Sequence, residues 1–422
     1  MDTTSRETPT LLSILALAPL PFLKNGVPAF AAGGPLFNAQ LLPRLARLGH
    51  RVRVITDAPR AREGEVRSGL PFNEPNLAVE WFVSEHTSSI SVPTPELRER
   101  NRRAIAPVFD RLVAEERPDA VLIGRDITPL FMLDCCRRHQ LPAIVISHSV
   151  AATALARGLY PDEIARELVS CLNEVEVVVA IAGHVADTLR TVGVTRVVTI
   201  RNVVDPEIFR PQPKAARLLR ALRLTPAQPL VGHVSALRPA KRSLDIVDSA
   251  AAVLRARPDV VYVIVGDGPS RAEMQDRARQ QGTLASFRFV GEVPHEEVPR
   301  YVNLCDLVVL SSEREGLPLI TLETQACGRV MLASDIPGSR AIITDGDTGV
   351  LFHMGDVADL TAKTLALIND HRWRERIGQQ ARGIAETRHP SAWIREYVDV
   401  LRRAATREFS RAPQGRTRPV RR

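Results

Sequence analysis

The sequence predicts an α/β protein of two domains, each built on a parallel β-sheet with helices on both faces. Its 422 residues are too many for one ordinary hydrophobic core and suffice for two. Short apolar runs alternate with amphipathic helical patterns along almost the whole chain, which is typical of parallel sheets. Residues 202–213 lack periodicity and contain three prolines, so we expect the two halves to meet there in a hinge.

The expected strands are short apolar runs. In the first half they are residues 11–18, 51–56, 120–123, 143–147, 177–181 and 197–200, and in the second half residues 229–235, 260–266, 287–290, 307–311 and 330–334. The clearest helical patterns lie at residues 37–48, 96–116, 243–256 and 319–326. Because ligands bind at the carboxyl ends of parallel strands, we expect one cleft between the halves, with its chemistry in the loops that follow strands.

These patterns divide the chain into four segments. Residues 1–205 are expected to form the first domain and residues 206–390 the second. Residues 391–408 are expected to form a helix that returns to the first domain, and residues 409–422 a basic disordered tail.

Most of the positive charge lies at the carboxyl terminus. Of the formal net charge of +8, residues 402–422 contribute +7, through eight arginines and one glutamate. The folded body is therefore nearly neutral, which argues against a nucleic-acid-binding face. Weak contact of the tail with an anionic membrane surface is the alternative to a solvated tail.

The cysteines and apolar runs indicate a cytoplasmic protein. Five cysteines without a C-x-x-C pair predict reduced, buried thiols. The apolar run at residues 11–23 follows two acidic residues and contains two prolines, which favours a first strand over a signal peptide. No other run reaches the ~18 apolar residues of a membrane span.

The most informative segment, residues 311–323, reads Ser-Ser-Glu-Arg-Glu-Gly-Leu-Pro-Leu-Ile-Thr-Leu-Glu and runs from a predicted strand into a helix whose first turn suits Pro318. The backbone N–H groups of Gly316 and Leu317 are unpaired donors at the positive end of that helix, which suits a phosphate. Glu315 and Glu323 can each accept paired hydrogen bonds from sugar hydroxyls. The alternative is one capping acid and one surface acid without a function.

With this segment the sequence resembles the family 4 glycosyltransferases, which have the GT-B fold of two Rossmann-like domains. Glu315 and Glu323 match the E-x7-E motif of that family. The other segments similar to family motifs are residues 202–209, 265–269, 325–328 and 345–349. The resemblance extends from the glycine loop at residues 33–34 to at least residue 349, which is most of the chain.

The resemblance implies retaining transfer of a hexose or N-acetylhexosamine from a nucleotide diphosphate sugar, commonly a UDP-sugar, without an obligatory metal or other cofactor. It implies that Glu315 contacts the donor hexose and that Glu323 binds the ribose hydroxyls. The amides of Gly316 and Leu317 would hold the diphosphate. The Asp-x-Asp at residues 345–347 formally matches a metal-binding pattern, but its Thr-Gly continuation favours a turn.

Positive charge is needed at the diphosphate as the glycosidic bond breaks. Residues 235–241 supply Arg238 and Lys241. Lys241 stands where the family has its phosphate-binding lysine. The arginine usual five residues earlier is Ala236 here, so we expect Arg238 to substitute for it; the alternative is a solvated loop arginine.

The first domain offers fewer candidates. Gly34 lies in a loop between the first strand and a helix and is expected to approach the donor phosphates or the acceptor. Without a full G-x-G-x-x-G the loop does not support dinucleotide binding. His148 ends the strand at residues 143–147 and resembles the family's histidine near the donor sugar, whereas His184, in the loop after residues 177–181, is a weaker candidate. The alternative for Gly34 is a tight turn that contacts no ligand. The alternative for the two histidines is a buried position in the core without a role at the site.

The acceptor determinants are expected in the first-domain loops around residues 25–37, 71–92 and 151–162. These loops lack a hydrophobic or basic amphipathic helix, which favours a small soluble acceptor such as a secondary metabolite over a lipid-linked or cell-surface glycan. A pyridoxal-dependent phosphorylase has no sequence signal here. A catalytically silent partner protein is disfavoured because both acids of the E-x7-E motif are present.

Overall fold

The computed structural model describes residues 11–20, 23–24, 27–28, 33–59, 74–84 and 94–411. The strands of the first half are β1 (Ser13–Leu17), β2 (Leu23–Lys24), β3 (Val27–Pro28), β4 (Arg51–Pro59), β5 (Leu77–Ser84), β6 (Ala120–Ile123), β7 (Ala143–Ser147), β8 (Val177–Ala180) and β9 (Val197–Thr199). Its helices are α1 (Gly33–Arg47), α2 (Pro95–Glu115), α3 (Pro129–Arg138), α4 (Val150–Ala156), α5 (Asp162–Glu174) and α6 (Gly183–Thr191).

The first sheet has seven strands in the order β5-β4-β1-β6-β7-β8-β9, and all its pairings are parallel. The two-residue strands β2 and β3 form a separate antiparallel ribbon. Every side chain of β6, β7 and β8 is buried, because helices cover both faces of the sheet. This confirms the parallel sheet that the apolar runs predict.

The second half repeats the scheme with six strands. They are β10 (Leu230–Val234), β11 (Val261–Val265), β12 (Phe287–Gly291), β13 (Leu307–Leu310), β14 (Val330–Ser334) and β15 (Val350–Phe352). The helices are α7 (Ala216–Ala221), α8 (Ser243–Ala256), α9 (Arg271–Gln280), α10 (Val298–Leu304), α11 (Leu319–Ala326), α12 (Pro337–Arg340), α13 (Val357–Asn369) and α14 (His371–Glu386). The strand order is β12-β11-β10-β13-β14-β15, again with parallel pairings throughout.

The chain then returns to the first domain through α15 (Pro390–Ala405) and α16 (Glu408–Arg411). The helix α15 packs against α1, β6 and β7. Its Trp393 and Tyr397 make edge contacts with Phe37 of α1, at ring-centroid distances of 5.5 and 5.9 Å. Residues 409–411, expected to be the start of a disordered tail, are helical, and Ser410 donates a backbone hydrogen bond to Glu176. Residues 412–422 lie outside the described residues.

Four strands and one helix differ from the sequence-based expectation, and two of these strands are the short β2 and β3. The stretch at residues 71–92, expected to be an acceptor loop, contains the edge strand β5, and β15 is a three-residue edge strand. The expected loop at residues 151–162 contains most of α4, whose N-cap residue Ser149 makes no side-chain capping hydrogen bond. Much of the expected loop at residues 25–37 lies outside the described residues. Short edge strands and uncapped short helices leave weak sequence signals.

All five cysteines are buried and free of disulfide bonds, as the sequence predicts. Among the described helices, none combines the length and the apolar character that crossing a bilayer requires.

The interior of β10 contains a polar residue, His233. Its Nδ1 donates to the carbonyl oxygen of Val309 in β13 at 2.9 Å, and its Nε2 accepts from the hydroxyls of Ser235 and Ser243 at 2.8 and 3.2 Å. Burial lowers the pKa of His233 to about 4, against the opposing effect of the Val309 hydrogen bond. The imidazole is therefore neutral at pH 7 and joins two strands to the start of α8.

We expect acid to destabilise the protein through His233. Its pKa is about 4 when folded and has the ordinary value of 6.5 when unfolded, so between these pH values the unfolded chain binds more protons. The free energy of unfolding therefore falls as the pH drops through that window. Because His233→Gln lacks this titration, its stability deficit relative to wild type should shrink by roughly 1–2 kcal/mol from pH 7 to pH 5 in urea unfolding. His353→Gln, at an exposed site, is the control, and an unchanged deficit would contradict the prediction.

Candidate active site

The loop after β13 brings the second domain into contact with the first. A Cβ on Gly316 would lie 2.5 Å from the carbonyl oxygen of His148 and 2.9 Å from the Cβ of Ser149. Across the same seam, the imidazole of His184 faces the backbone of Glu315. The carboxyl ends of the two sheets therefore meet, and they bring together candidate residues from both halves of the sequence.

Glu315 receives two hydrogen bonds on one carboxylate oxygen. The Nζ of Lys241 lies 2.5 Å and the Oγ of Ser312 lies 2.6 Å from its Oε1. The side chain of Glu315 is 14% exposed and that of Lys241 is 25% exposed, so the ion pair is largely shielded from water. The acid and the cation that the sequence analysis assigned to the donor site thus form one unit.

The lysine loop is fixed by the end of β13. Residues Pro239–Lys241 form one turn of 3-10 helix, and Ser311 Oγ donates to the carbonyl oxygens of Lys241 and Arg242 at 2.9 and 3.0 Å. Arg238 precedes this turn and is exposed, on the same loop as Lys241. The end of β13, which leads into the loop with Glu315, therefore also positions Lys241.

Glu323 is a buried acid and not a surface one. It is the fifth residue of α11, which begins one residue after its N-cap Pro318, and it is 5% exposed. The Nε2 of His295 lies 2.7 Å from its Oε1. Burial lowers the pKa of His295, but the charge and hydrogen bond of Glu323 outweigh this effect, so the net shift is upward. The pairing favours a protonated imidazole that donates to Glu323.

His295 was not among the sequence-predicted site residues. It lies beyond the carboxyl end of β12, and its ring packs beside Phe209 of the hinge at a centroid distance of 5.3 Å. A polar side chain in a loop that directly follows a strand was the available signal. The pair places Glu323 next to the segment that joins the two domains.

His148 presents an unpaired nitrogen beside Gly34, which was expected in a loop but is the second residue of α1. Its Nε2 is buried and has no hydrogen-bond partner among the described residues. A Cβ on Gly34 would lie 3.6 Å from its Cδ2, and Phe37 makes an edge contact with the ring at 4.9 Å. Burial, with a smaller effect of the Arg125 charge, lowers the pKa of His148 to about 4. The neutral ring can donate or accept a hydrogen bond at pH 7.

A strained turn follows His148. Ser149 has a φ of +81°, which is uncommon for a residue with a side chain. Ser147 Oγ donates to the buried carboxyl of Asp126 at 2.7 Å, and the backbone of Ala151 also bonds to that carboxyl. Asp126 thereby fixes both sides of the turn, a role that the sequence analysis missed.

The other candidates take structural positions. His184 is the second residue of α6 and not part of a loop, and burial lowers its pKa. Leu317 is a buried core residue at 6% exposure, so only its backbone is available for a ligand. Asp345 accepts from the backbone N–H of Leu351 at 2.7 Å, as expected of a turn. Across the described residues, no group of three His, Cys, Asp or Glu is placed to hold a metal ion.

We expect Gly316→Ala to disrupt the seam. The added methyl would lie 2.5 Å from the His148 carbonyl oxygen, so the two domains would have to separate locally. Enzymatic turnover should fall at least ~10-fold, while thermal unfolding shifts little, because the clash lies between domains and not in a core. Gly383→Ala in α14, where nothing lies within 4 Å, is the matched control. Wild-type turnover in Gly316→Ala would contradict this reading of the seam.

The two parallel-sheet domains, whose strand ends meet at this site, have the architecture of the GT-B class of glycosyltransferases. The sequence matches the family model described as Glycosyltransferase Family 4 over residues 33–208 and the one described as Glycosyl transferases group 1 over residues 217–384. Between them the two models cover both domains, and the chain belongs to the family 4 glycosyltransferases.

Individual relatives are distant. D-inositol 3-phosphate glycosyltransferase from Nocardia farcinica is 28% identical over 263 residues, which are 58% of this chain and 57% of that protein. N-acetyl-alpha-D-glucosaminyl L-malate synthase from Bacillus anthracis is 23% identical over 90% of this chain and 98% of its own length. The solved structure of Anabaena HepE in complex with UDP and glucose superposes with a TM-score of 0.73 at 19% identity, covering 93% of this chain and 99% of that one.

Proposed function

We propose that the protein catalyses the retaining transfer of a hexose or N-acetylhexosamine from a UDP-sugar to a hydroxyl of a small soluble acceptor. The observation that carries this function is the ion pair of Lys241 and Glu315, held at the seam beside the backbone of Gly316. Sugar transfer requires the diphosphate, the sugar and the acceptor to lie together, and we infer that they do so at this ion pair.

Positive charge for the leaving group comes from Lys241, Arg238 and the amides of Gly316 and Leu317. A donor diphosphate would compete with Glu315 for the Nζ of Lys241, because both are anions within reach of the same cation. Glu315, released from part of that interaction, would accept hydrogen bonds from hexose hydroxyls. Lys241 would then stabilise the leaving diphosphate while Glu315 holds the hexose.

The remaining contacts divide between the two ends of the donor. Glu323 would bind the ribose hydroxyls, since His295 occupies its Oε1 and the described residues make no hydrogen bond to its Oε2. His148, neutral at pH 7 with a buried unpaired Nε2, would hydrogen-bond a hydroxyl of the hexose. Gly34, next to the His148 ring, allows the donor or acceptor to pass close to the backbone.

In the reaction the bond between the anomeric carbon and the diphosphate oxygen breaks, and the bonding electrons leave with the nucleotide diphosphate. A new bond forms between the anomeric carbon and the acceptor oxygen on the same face of the sugar. The proton of the acceptor hydroxyl passes to the departing diphosphate oxygen, which gains negative charge on that same face. Closure of the two domains around these groups excludes water, which would otherwise take the place of the acceptor.

The names of similar proteins support the substrate classes. HepE was solved with UDP and glucose, which supports a uracil donor. The Bacillus and Nocardia relatives are named for L-malate and for D-inositol 3-phosphate, which are both small water-soluble acceptors. An acceptor of this size agrees with the expectation from the sequence.

A nucleotide screen by thermal shift tests the donor assignment. We expect UDP to raise Tm by roughly 5 °C at about 100-fold excess over its Kd, and GDP and ADP to raise it less. UDP-glucose and UDP-N-acetylglucosamine should then be hydrolysed slowly without an acceptor. A protein that none of the three nucleotides stabilises would refute the proposed function.

The two glutamates should separate binding from turnover. Glu323→Ala removes the buried acceptor of ribose hydroxyls, so the Kd for UDP should rise about ten- to a hundredfold. Glu315→Ala should mainly lower kcat, by a similar factor or more, because its contacts are made at the reacting sugar. Calorimetric titration and donor turnover measure the two effects, and Glu273→Ala on the exposed surface of α9 is the control. Full activity in both site variants would exclude this assignment.

A further inference from the structure

Arg125 lies where the chain leaves the carboxyl end of β6, on the first-domain side of the seam. It is partly buried. Its guanidinium makes no hydrogen bond and no ion pair with any of the described residues, whereas Lys241, the cation on the opposite side of the seam, is paired with Glu315. A partly buried charge without a partner is costly, so such a group points to a ligand.

The charge of Arg125 acts on His148, which is one of the candidate site residues. It is close enough to His148 to contribute to the low pKa of that imidazole. The carboxyl of the neighbouring Asp126 interacts electrostatically with Arg125 but forms no ion pair with it, and its hydrogen bonds come from Ser147 and from backbone groups such as that of Ala151. The first domain thus has, near His148 with its unpaired Nε2, a cation that makes no hydrogen bond or ion pair with the described residues.

The donor diphosphate is not the partner of this cation. The seat of the diphosphate, at the amides of Gly316 and Leu317, belongs to the second domain and has its own cation in Lys241. Arg125 and His148 follow adjacent strands of the first sheet, β6 and β7. A group bound by Arg125 would therefore lie on the acceptor side, next to the hexose that His148 contacts.

We propose that Arg125 binds an acidic group, a carboxylate or phosphate, on the acceptor and thereby makes the enzyme selective for anionic acceptors. This inference rests on the proposed function. A planar guanidinium can hold two oxygens of such a group at once, which fixes the direction of the attached hydroxyl as well as adding affinity. The acceptor hydroxyl is then aimed at the anomeric carbon, while the acid stays on the first-domain wall.

The test measures acceptor binding with the nucleotide site already filled. Calorimetry on the full chain saturated with UDP uses four probes: L-malate, myo-inositol 1-phosphate, uncharged myo-inositol and the amine glucosamine. Wild type should bind one of the two anions at least ~10-fold more tightly than either of the other probes, and which anion it prefers distinguishes a carboxylate from a phosphate subsite.

Arg125→Gln removes the charge and keeps much of the side-chain volume. The Kd of the preferred anion should rise about ten- to a hundredfold, the Kd of UDP should stay the same, and Arg125→Lys should recover part of the loss. Arg103→Gln, at an exposed site on α2, is the matched control and should bind like wild type.

Three outcomes would overturn the inference. One is anion binding by Arg125→Gln that equals wild type. Another is a wild type that binds the neutral or basic probe as well as the anions, or binds none of the four. Loss of UDP binding in Arg125→Gln would assign the residue to the donor. Failure of wild type to bind any nucleotide refutes the proposed function itself, so the two failures are distinguishable.

Discussion

The close approach of two backbones at Gly316 is the constraint on which the site depends. Any side chain there would collide with the carbonyl oxygen of His148, so only glycine allows the loop after β13 to touch the first domain. Gly338 does the same on the other side, since its Cβ would lie 2.5 Å from the carbonyl oxygen of Glu315. The loop is thus held between two glycine contacts, and the carboxylate of Glu315 can meet Lys241 and Ser312 in one arrangement.

The electrostatics of the seam follow from which charge lies beside each histidine. Burial lowers the pKa of both His148 and His295, but Arg125 adds to the effect at His148, whereas Glu323 reverses it at His295. One imidazole is therefore a neutral hydrogen-bonding group and the other favours the charged form. The first domain presents a cation and a neutral ring, while the second presents acids whose charge is already matched. The first and the second domain therefore offer different charges to a bound ligand.

The fold was predictable where strands are buried on both faces. Continuous apolar runs gave β6, β7 and β14 their bounds to the residue, because parallel strands between two helical layers need no polar positions. The edge strands β5 and β15 were missed, although the edge strands β9 and β12 were predicted: β15 has only three residues, and β5 lies in a stretch that was assigned to an acceptor loop. The seven residues of α4 were missed because its start depends on the Asp126 contact, which joins residues distant in sequence.

On the second-domain side the candidate residues Glu315, Gly316 and Glu323 are close in sequence, so one motif predicts all three as site residues. Contacts such as that of His295 with Glu323, 28 residues apart, are made by the fold and leave no spacing to recognise. One physical rule nevertheless applies to both missed cases: a polar side chain beyond the carboxyl end of a parallel strand lies at the mouth of the cleft. Arg125 after β6 and His295 after β12 both satisfy it. The family motif therefore predicts the donor class, whereas the acceptor class that we propose rests on Arg125, a single residue beyond the end of β6 that belongs to no motif.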